Sequence, residues 1–190
     1  MQLKVIGIDP GFRNTGIATA TLDLHSEELR DIKVKLSRTK ATKEKNKYKS
    51  HDDLRCAKQQ ADFVQNEIIR HGADLAFAEM PSGGARSSRA TWALGLAVGI
   101  LTPINIPLFS VTPRNVKLVT GDPNAEKEAM IKWAINKDTY LSGWLEYSGD
   151  AKKWSPRNEH MADALATIHA GLNTPEYQAY ASLMSSVPIK

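Results

Sequence analysis

Three acidic side chains stand at positions where a carboxylate can do more than stay hydrated. Asp9 closes the run Leu3-Lys4-Val5-Ile6-Gly7-Ile8, which is apolar and β-branched enough to form a buried strand. Pro10-Gly11 then bends the chain, and Arg13-Asn14-Thr15-Gly16-Ile17-Ala18 reads as a turn and a returning strand. Glu79 closes a second apolar run, Leu75-Ala76-Phe77-Ala78, and Asp163 lies in an Ala-rich helix near the C-terminus. Two carboxylates on strand ends and one on a helix can gather into one oxygen-rich cation site. The chemistry this suggests is metal-assisted reaction at phosphate. Taken singly, each acid also has an ordinary reading: a capped turn, a solvated strand end, an exposed helix position.

The second chemical feature is charge. Residues 33 to 49 carry eight basic side chains (Lys33, Lys35, Arg38, Lys40, Lys43, Lys45, Lys47, Lys49) against Glu44 alone. The whole chain is only +4, so this one segment holds all the excess and the remainder is acidic. A solvated lysine loop would explain it. Beside a cation site suited to phosphate, an arm for a polyanion explains it better, since each neutralised phosphate releases counterions.

The elements that must position these groups follow from pattern. With 190 residues and 42% hydrophobic content, the chain can bury the core of one ordinary domain. Cys56 is the single cysteine, which excludes an internal disulfide or zinc cluster and makes a reducing cytoplasm the default. The N-terminal residues read as the first strand and are not expected to act as a leader, and the apolar stretch from Trp92 to Leu101 is too short to cross a membrane. Strands are expected near 3–9, 15–21, 31–36, 75–79 and 107–111, the last as a buried strand. A helix over 52–71 would bury Leu54, Ala57, Ala61, Val64 and Ile68, and His71-Gly72 would stop it. Further helices are expected over 87–102, from an Asp122-Pro123 cap to about Asn136, and from Ser155-Pro156 with a Met161, Leu165, Ile168 and Leu172 face. The order predicts an α/β three-layer domain over 1–172 with a mixed sheet, its first three strands antiparallel, and a basic loop at about 37–51. Residues 138–156 read as irregular, and 173–190 as a loosely held tail.

In this order the motifs resemble the RuvC family of four-way (Holliday) junction resolvases, which have a ribonuclease H-like fold. The resemblance rests on Gly7-Ile8-Asp9-Pro10-Gly11 with Thr15-Gly16, on Ala78-Glu79, on Val111-Thr112-Pro113 with Val116-Lys117 and Ala125-Glu126-Lys127, and on Ala162-Asp163-Ala164-Leu165-Ala166. It implies a crossover junction endodeoxyribonuclease, a homodimer meeting through the 87–102 helix, and paired nicks in opposing strands of branched DNA. It further implies two Mg²⁺ ions per site, replaceable by Mn²⁺, about 3.5–4 Å apart for an in-line displacement. Asp9 would bridge them, Glu79 would hold one and Asp163 would complete the shell. Lys117 and Lys127 resemble the family's DNA-contacting lysines. Arg86, Arg89 and Arg114 are backbone contacts that would position DNA without reading sequence, beside Lys43, Lys45, Lys47 and Lys49.

Four departures qualify this. Many members carry an aspartate where this chain has His160, one turn before Asp163 and on the same helix face. His160 would ligate metal, activate water, or stand aside for Glu159 as the fourth acid. The stretch Met80-Pro81-Ser82-Gly83-Gly84 lacks the family's aromatic wedge, the lysine loop is long, and 138–157 has no counterpart. The rivals are a less selective flap or fork nuclease, an actin- or sugar-kinase-like ATPase, which 190 residues hardly accommodate, and a non-catalytic DNA-binding relative. Nothing in the sequence identifies an accessory motor.

Overall fold

Alternation along the first strand dictates the layering. Leu3 and Val5 belong to one apolar cluster and Ile6 and Ile8 to another, so the strand is covered on both faces. The computed structural model describes residues 1–42, 48–80, 87–137, 144–148 and 153–186. It contains β1 (Gln2–Asp9), β2 (Asn14–Asp23), β3 (Leu29–Arg38), α1 (Lys49–His71), β4 (Leu75–Glu79), α2 (Ser88–Leu101) and β5 (Leu108–Val111). There follow α3 (Pro113–Leu118), α4 (Lys127–Lys137), a small hairpin of β6 (Tyr147–Ser148) and β7 (Lys153–Trp154), α5 (Asn158–Leu172) and α6 (Pro175–Ser186).

The main sheet runs β3-β2-β1-β4-β5. Its first three strands are antiparallel, and β4 and β5 run parallel to β1. α1 and α2 supply Val64, Ile68, Ile100 and Leu101 to the cluster on one face. α5 lies across β1, β2 and β4 on the other. The expected three-layer α/β architecture with a mixed sheet is what the chain adopts, and Met161, Leu165, Ile168 and Leu172 are all buried.

Several local expectations are corrected. Leu54 is 61% exposed; α1 instead turns Asp53, Cys56, Ala57, Gln60, Val64, Glu67 and Ile68 inward. The inward acids have cationic partners, which a hydrophobic period cannot register. β5 is an edge strand whose side chains are largely accessible, not a fully buried one. The helix expected from Asp122-Pro123 starts only at Lys127, because the Asp122 carboxylate accepts the Asn124 N–H at 2.8 Å and closes a local turn. A short helix, α3, occupies what was expected as loop, with Thr112 accepting the Asn115 N–H and Pro113 at its first position. The 138–156 stretch contains the β6–β7 ladder, pinned to α5 by buried Asn158, which exchanges two hydrogen bonds with the Glu146 backbone.

The largest correction is at the C-terminus, where α6 stands in place of a loose tail. Thr174 accepts the Tyr177 N–H and Pro175 opens the helix. Tyr177 is fully buried, its ring 5.3 Å from Phe77 and 5.7 Å from Phe109. Gly171 makes this approach possible, since a side chain there would collide with Phe77.

His169 on α5 meets the Trp133 ring edge-on at 5.2 Å. Burial, and then the charge of Lys137, push its pKa down to about 4. The unfolded chain binds a proton there near pH 6.5 and the folded chain does not until about pH 4, so stability falls with pH through that window. His169→Phe keeps a ring but cannot ionise. Urea denaturation should show wild type losing roughly 2 kcal/mol more than the variant between about pH 7 and pH 4.5. Parallel pH profiles would mean that the folded protein protonates His169 freely.

Candidate active site

β1 and β4 are parallel neighbours with Ile8 opposite Ala78. Asp9 and Glu79 therefore end adjacent strands at the same level, at the carboxyl edge of the sheet. The turn after Asp9 is held by buried Thr15, whose hydroxyl donates to the Gly11 carbonyl at 2.8 Å. α5 brings the third acid. It reaches the sheet because Gly16, opposite Asp9 in the β1–β2 register, leaves room: a Cβ there would lie 1.8 Å from the His160 carbonyl oxygen. Gly7 does the same one turn on, where a Cβ would lie 2.1 Å from the Ala164 carbonyl oxygen. These two glycines seat the first turns of α5 directly on the backbone of β1 and β2.

Charge is concentrated here. Burial, reinforced by the Asp9 charge, pushes the Glu79 carboxyl up to about 8, with Lys117 and His160 pulling the other way. Asp163 is raised well above the usual carboxylate range, by burial first and then by Asp9, Glu79 and Glu159. The Asp9 charge thus acts on both Glu79 and Asp163, and that of Glu79 acts on Asp163. His160 Nδ1 lies 2.6 Å from Asp9 Oδ2. Burial lowers its pKa, but the hydrogen bond and charge of Asp9 outweigh that and the net shift is upward. In its neutral form the imidazole donates from Nδ1, which leaves the Nε2 lone pair as the reactive one.

Among the described residues, no group of three or more His, Cys, Asp or Glu side chains is placed to hold a metal ion by itself. The donor set nonetheless suits Mg²⁺, which keeps several waters and takes one or two carboxylates plus substrate oxygens. Desolvated carboxylates that raise one another's pKa are stabilised by a divalent cation. A Mg²⁺ ion held here would need water and substrate oxygens beside these carboxylates.

Beside Asp163 opens a cavity of about 610 Å³ whose walls include Lys117, Asn124, Lys127 and Glu159. Lys117 lies in the last turn of α3 and Lys127 is the first residue of α4. Both lysines therefore share the cavity wall with Asp163. Lys127 Nζ contacts Glu159 Oε1 at 2.5 Å, an intramolecular partner in place of a phosphate. Arg89 is similarly engaged: its guanidinium pairs with buried Asp53. Arg114 is in the first turn of α3 and Lys49 opens α1. Lys43, Lys45, Lys47 and Arg86 lie outside the described residues. Pattern reading did not anticipate the structural roles of Thr15, Gly7, Gly16 and Asn158; the first three fell within quoted motifs, and Asn158 carried no signal.

No protein-family model matches the chain, and no curated protein matches it by sequence. Solved structures do. Thermus thermophilus RuvC in complex with a Holliday junction substrate aligns over 98% of this chain and 99% of its own, with 18% identity and a TM-score of 0.60. The yeast mitochondrial Holliday junction resolvase Ydc2 aligns over 95% of this chain and 83% of its own, with 13% identity and a TM-score of 0.56. The chain therefore has the ribonuclease H-like fold of the RuvC-type resolvases.

Proposed function

We propose that the protein is a divalent-metal-dependent endonuclease that resolves four-way DNA junctions by paired nicks. The observation that carries this reading is the convergence of Asp9 and Glu79 on adjacent strand ends with α5, which bears His160 and Asp163, Asp163 lining a cavity walled by Lys117 and Lys127. Asp9, Glu79 and Asp163 would hold Mg²⁺, which when bound supplies charge neutralisation at the scissile phosphate and an activated water. Lys117 and Lys127 orient the phosphate backbone from the cavity wall. Engaging Lys127 on DNA exchanges its contact with Glu159 for one with phosphate. The basic segment from Lys33 to Lys49 adds sequence-independent affinity for backbone.

A homodimer supports paired cutting, since two symmetric sites suit two strands. The face available for it is on α2. Trp92 is 46% exposed there, and it lines an open groove of about 490 Å³ with Ser88, Thr91, Gly95 and Leu96. No helix of the described residues is long and apolar enough to cross a membrane.

The test is cleavage of labelled four-way junction, 5′ flap and linear duplex by purified protein with Mg²⁺ or Mn²⁺. Symmetric nicks confined to the junction are expected, and chelation should abolish them. Equal cutting of flap and junction would shift the reading to a general branched-DNA nuclease. Failure to cut any substrate with either metal would remove the nuclease reading.

His160 has its own prediction. If its imidazole ligates metal, His160→Asp retains activity and lowers the Mn²⁺ to Mg²⁺ rate ratio, because a hard oxygen replaces nitrogen. If it activates water, the Asp variant loses rate by about 100-fold with both metals, and the pH–rate profile loses its histidine limb. Wild-type rates from His160→Ala would exclude both roles and turn attention to Glu159.

A further inference from the structure

The first turn of α1 carries two neighbouring buried carboxylates with different partners. Asp52 is satisfied close by: it accepts from Arg55 Nε and Nη2 at 3.0 and 2.7 Å and from the Thr42 N–H at 3.1 Å, with Arg13 more distant at 3.4 Å. Asp53 reaches across the fold. Its side chain has no solvent exposure, and it accepts from Arg13 Nη2 at 2.8 Å and from Arg89 through both guanidinium Nη atoms. The Phe12 ring completes the assembly, 4.9 Å from the Arg13 guanidinium carbon and 5.6 Å from that of Arg89.

The positions of the two arginines along the chain give this cluster its meaning. Arg13 lies four residues beyond Asp9, in the turn that ends β1. Arg89 lies in the first turn of α2. One buried carboxylate thus ties the turn that leaves Asp9 to the start of α2. Asp53 has no route to substrate. A bidentate guanidinium–carboxylate pair fixes orientation as well as distance, and a desolvated pair keeps its geometry better than a surface one.

We infer that Asp53 is a positioning residue of the active site, which through Arg13 and Arg89 fixes the Asp9 turn against the first turn of α2. This rests on the nuclease reading for its kinetic consequence, but not for its structural one. It also assigns Arg89, through this ion pair, to holding the site rather than to phosphate. The lowered pKa of Asp53, caused chiefly by its hydrogen bonds from Arg89, is consistent with a carboxylate that stays ionised in the folded chain.

The structural arm needs no substrate. Amide hydrogen exchange is compared for wild type, Asp53→Asn and Arg89→Gln without DNA. Arg89 is 42% exposed, so Arg89→Gln tests the clamp even if Asp53→Asn folds poorly. Faster exchange in both the 10–14 and the 87–91 segments of either variant supports the clamp. A change confined to the substituted segment overturns it. The kinetic arm measures junction nicking against Mg²⁺ concentration. Loss of a group that orients metal ligands typically costs 10–100-fold in metal affinity or activity, so roughly tenfold more Mg²⁺ should be needed, with junction affinity in chelator little changed. Asp53→Asn with Arg89→Gln should be no slower than Asp53→Asn alone. A folded Asp53→Asn with wild-type rate and Mg²⁺ dependence would reduce the cluster to a stabilising ion pair, and an additive double variant would return Arg89 to the DNA. Wild type inert towards every branched substrate would defeat the nuclease reading while leaving the exchange result standing.

Discussion

Asp9→Asn, Glu79→Gln and Asp163→Asn should each slow nicking by about a thousandfold or more, the kinetic equivalent of several kcal/mol of lost charge stabilisation. Amides preserve shape but remove the charge that holds the cation. For Glu79 and Asp163, whose carboxyls are raised by burial, stability should move the opposite way, which separates loss of chemistry from loss of fold. Burial and Asp9 raise Glu79 to about 8, so above its unfolded pKa of about 4.3 and up to that value the folded protein binds more protons than the unfolded one. Stability therefore falls as pH rises through this window. Glu79→Gln removes that penalty, so at neutral pH without metal the variant should melt higher than wild type. Added Mg²⁺ should then raise the wild-type Tm and leave the variant nearly unchanged, because only wild type retains the full ligand set. A variant that nicks at the wild-type rate would remove its residue from the site. One that loses activity and also melts lower would place that residue among the supports of the fold.

The three acids were legible in the sequence because each sits at an interruption in a strong pattern. Asp9 and Glu79 end apolar β-branched runs, and Asp163 interrupts an Ala-rich helix whose core face recurs at 3 and 4 spacing. The structure joins them through strand register and helix packing, both of which follow from burial. What burial does not govern was not legible. Leu54 faces solvent because the neighbouring Asp53 turns inward to meet Arg13 and Arg89, and pairings across 40 and 36 residues leave no periodic trace. α6 buries only Tyr177 fully, with Tyr180, Ala181 and Met184 packing partly buried against the same core. Its onset was written in Thr174-Pro175, a cap and a first-position proline. Thr112-Pro113 announced α3 in the same way. Short helices with one cap and one fully buried side chain are beyond a reading that weighs whole faces.

Gly16 should be the most sensitive position outside the acids, although it carries no chemistry of its own. It lies opposite Asp9 on β2, and a methyl group there would fall 1.8 Å from the His160 carbonyl oxygen and 2.4 Å from its carbon. Both are backbone atoms, so no rotamer change relieves the contact and the first turn of α5 must lift from the sheet. His160 rides on that turn and Asp163 on the next, and Asp9 on neither. Gly16→Ala should therefore stretch the Asp9–His160 hydrogen bond, and a misplacement of about 1 Å can cost about 100-fold in rate. Overpacking of this kind also destabilises by about 1–3 kcal/mol. Gly7→Ala makes the equivalent clash with the Ala164 carbonyl and should behave alike. Gly121→Ala is the control for generic glycine effects: nothing lies within 4 Å of its added carbon, and only its positive φ opposes the change. It should lose stability without losing nicking rate in proportion. Should Gly16→Ala match wild type in both Tm and rate, α5 would be free to move on the sheet, and the contact between its first turn and β2 would not be what aligns Asp163 with Asp9.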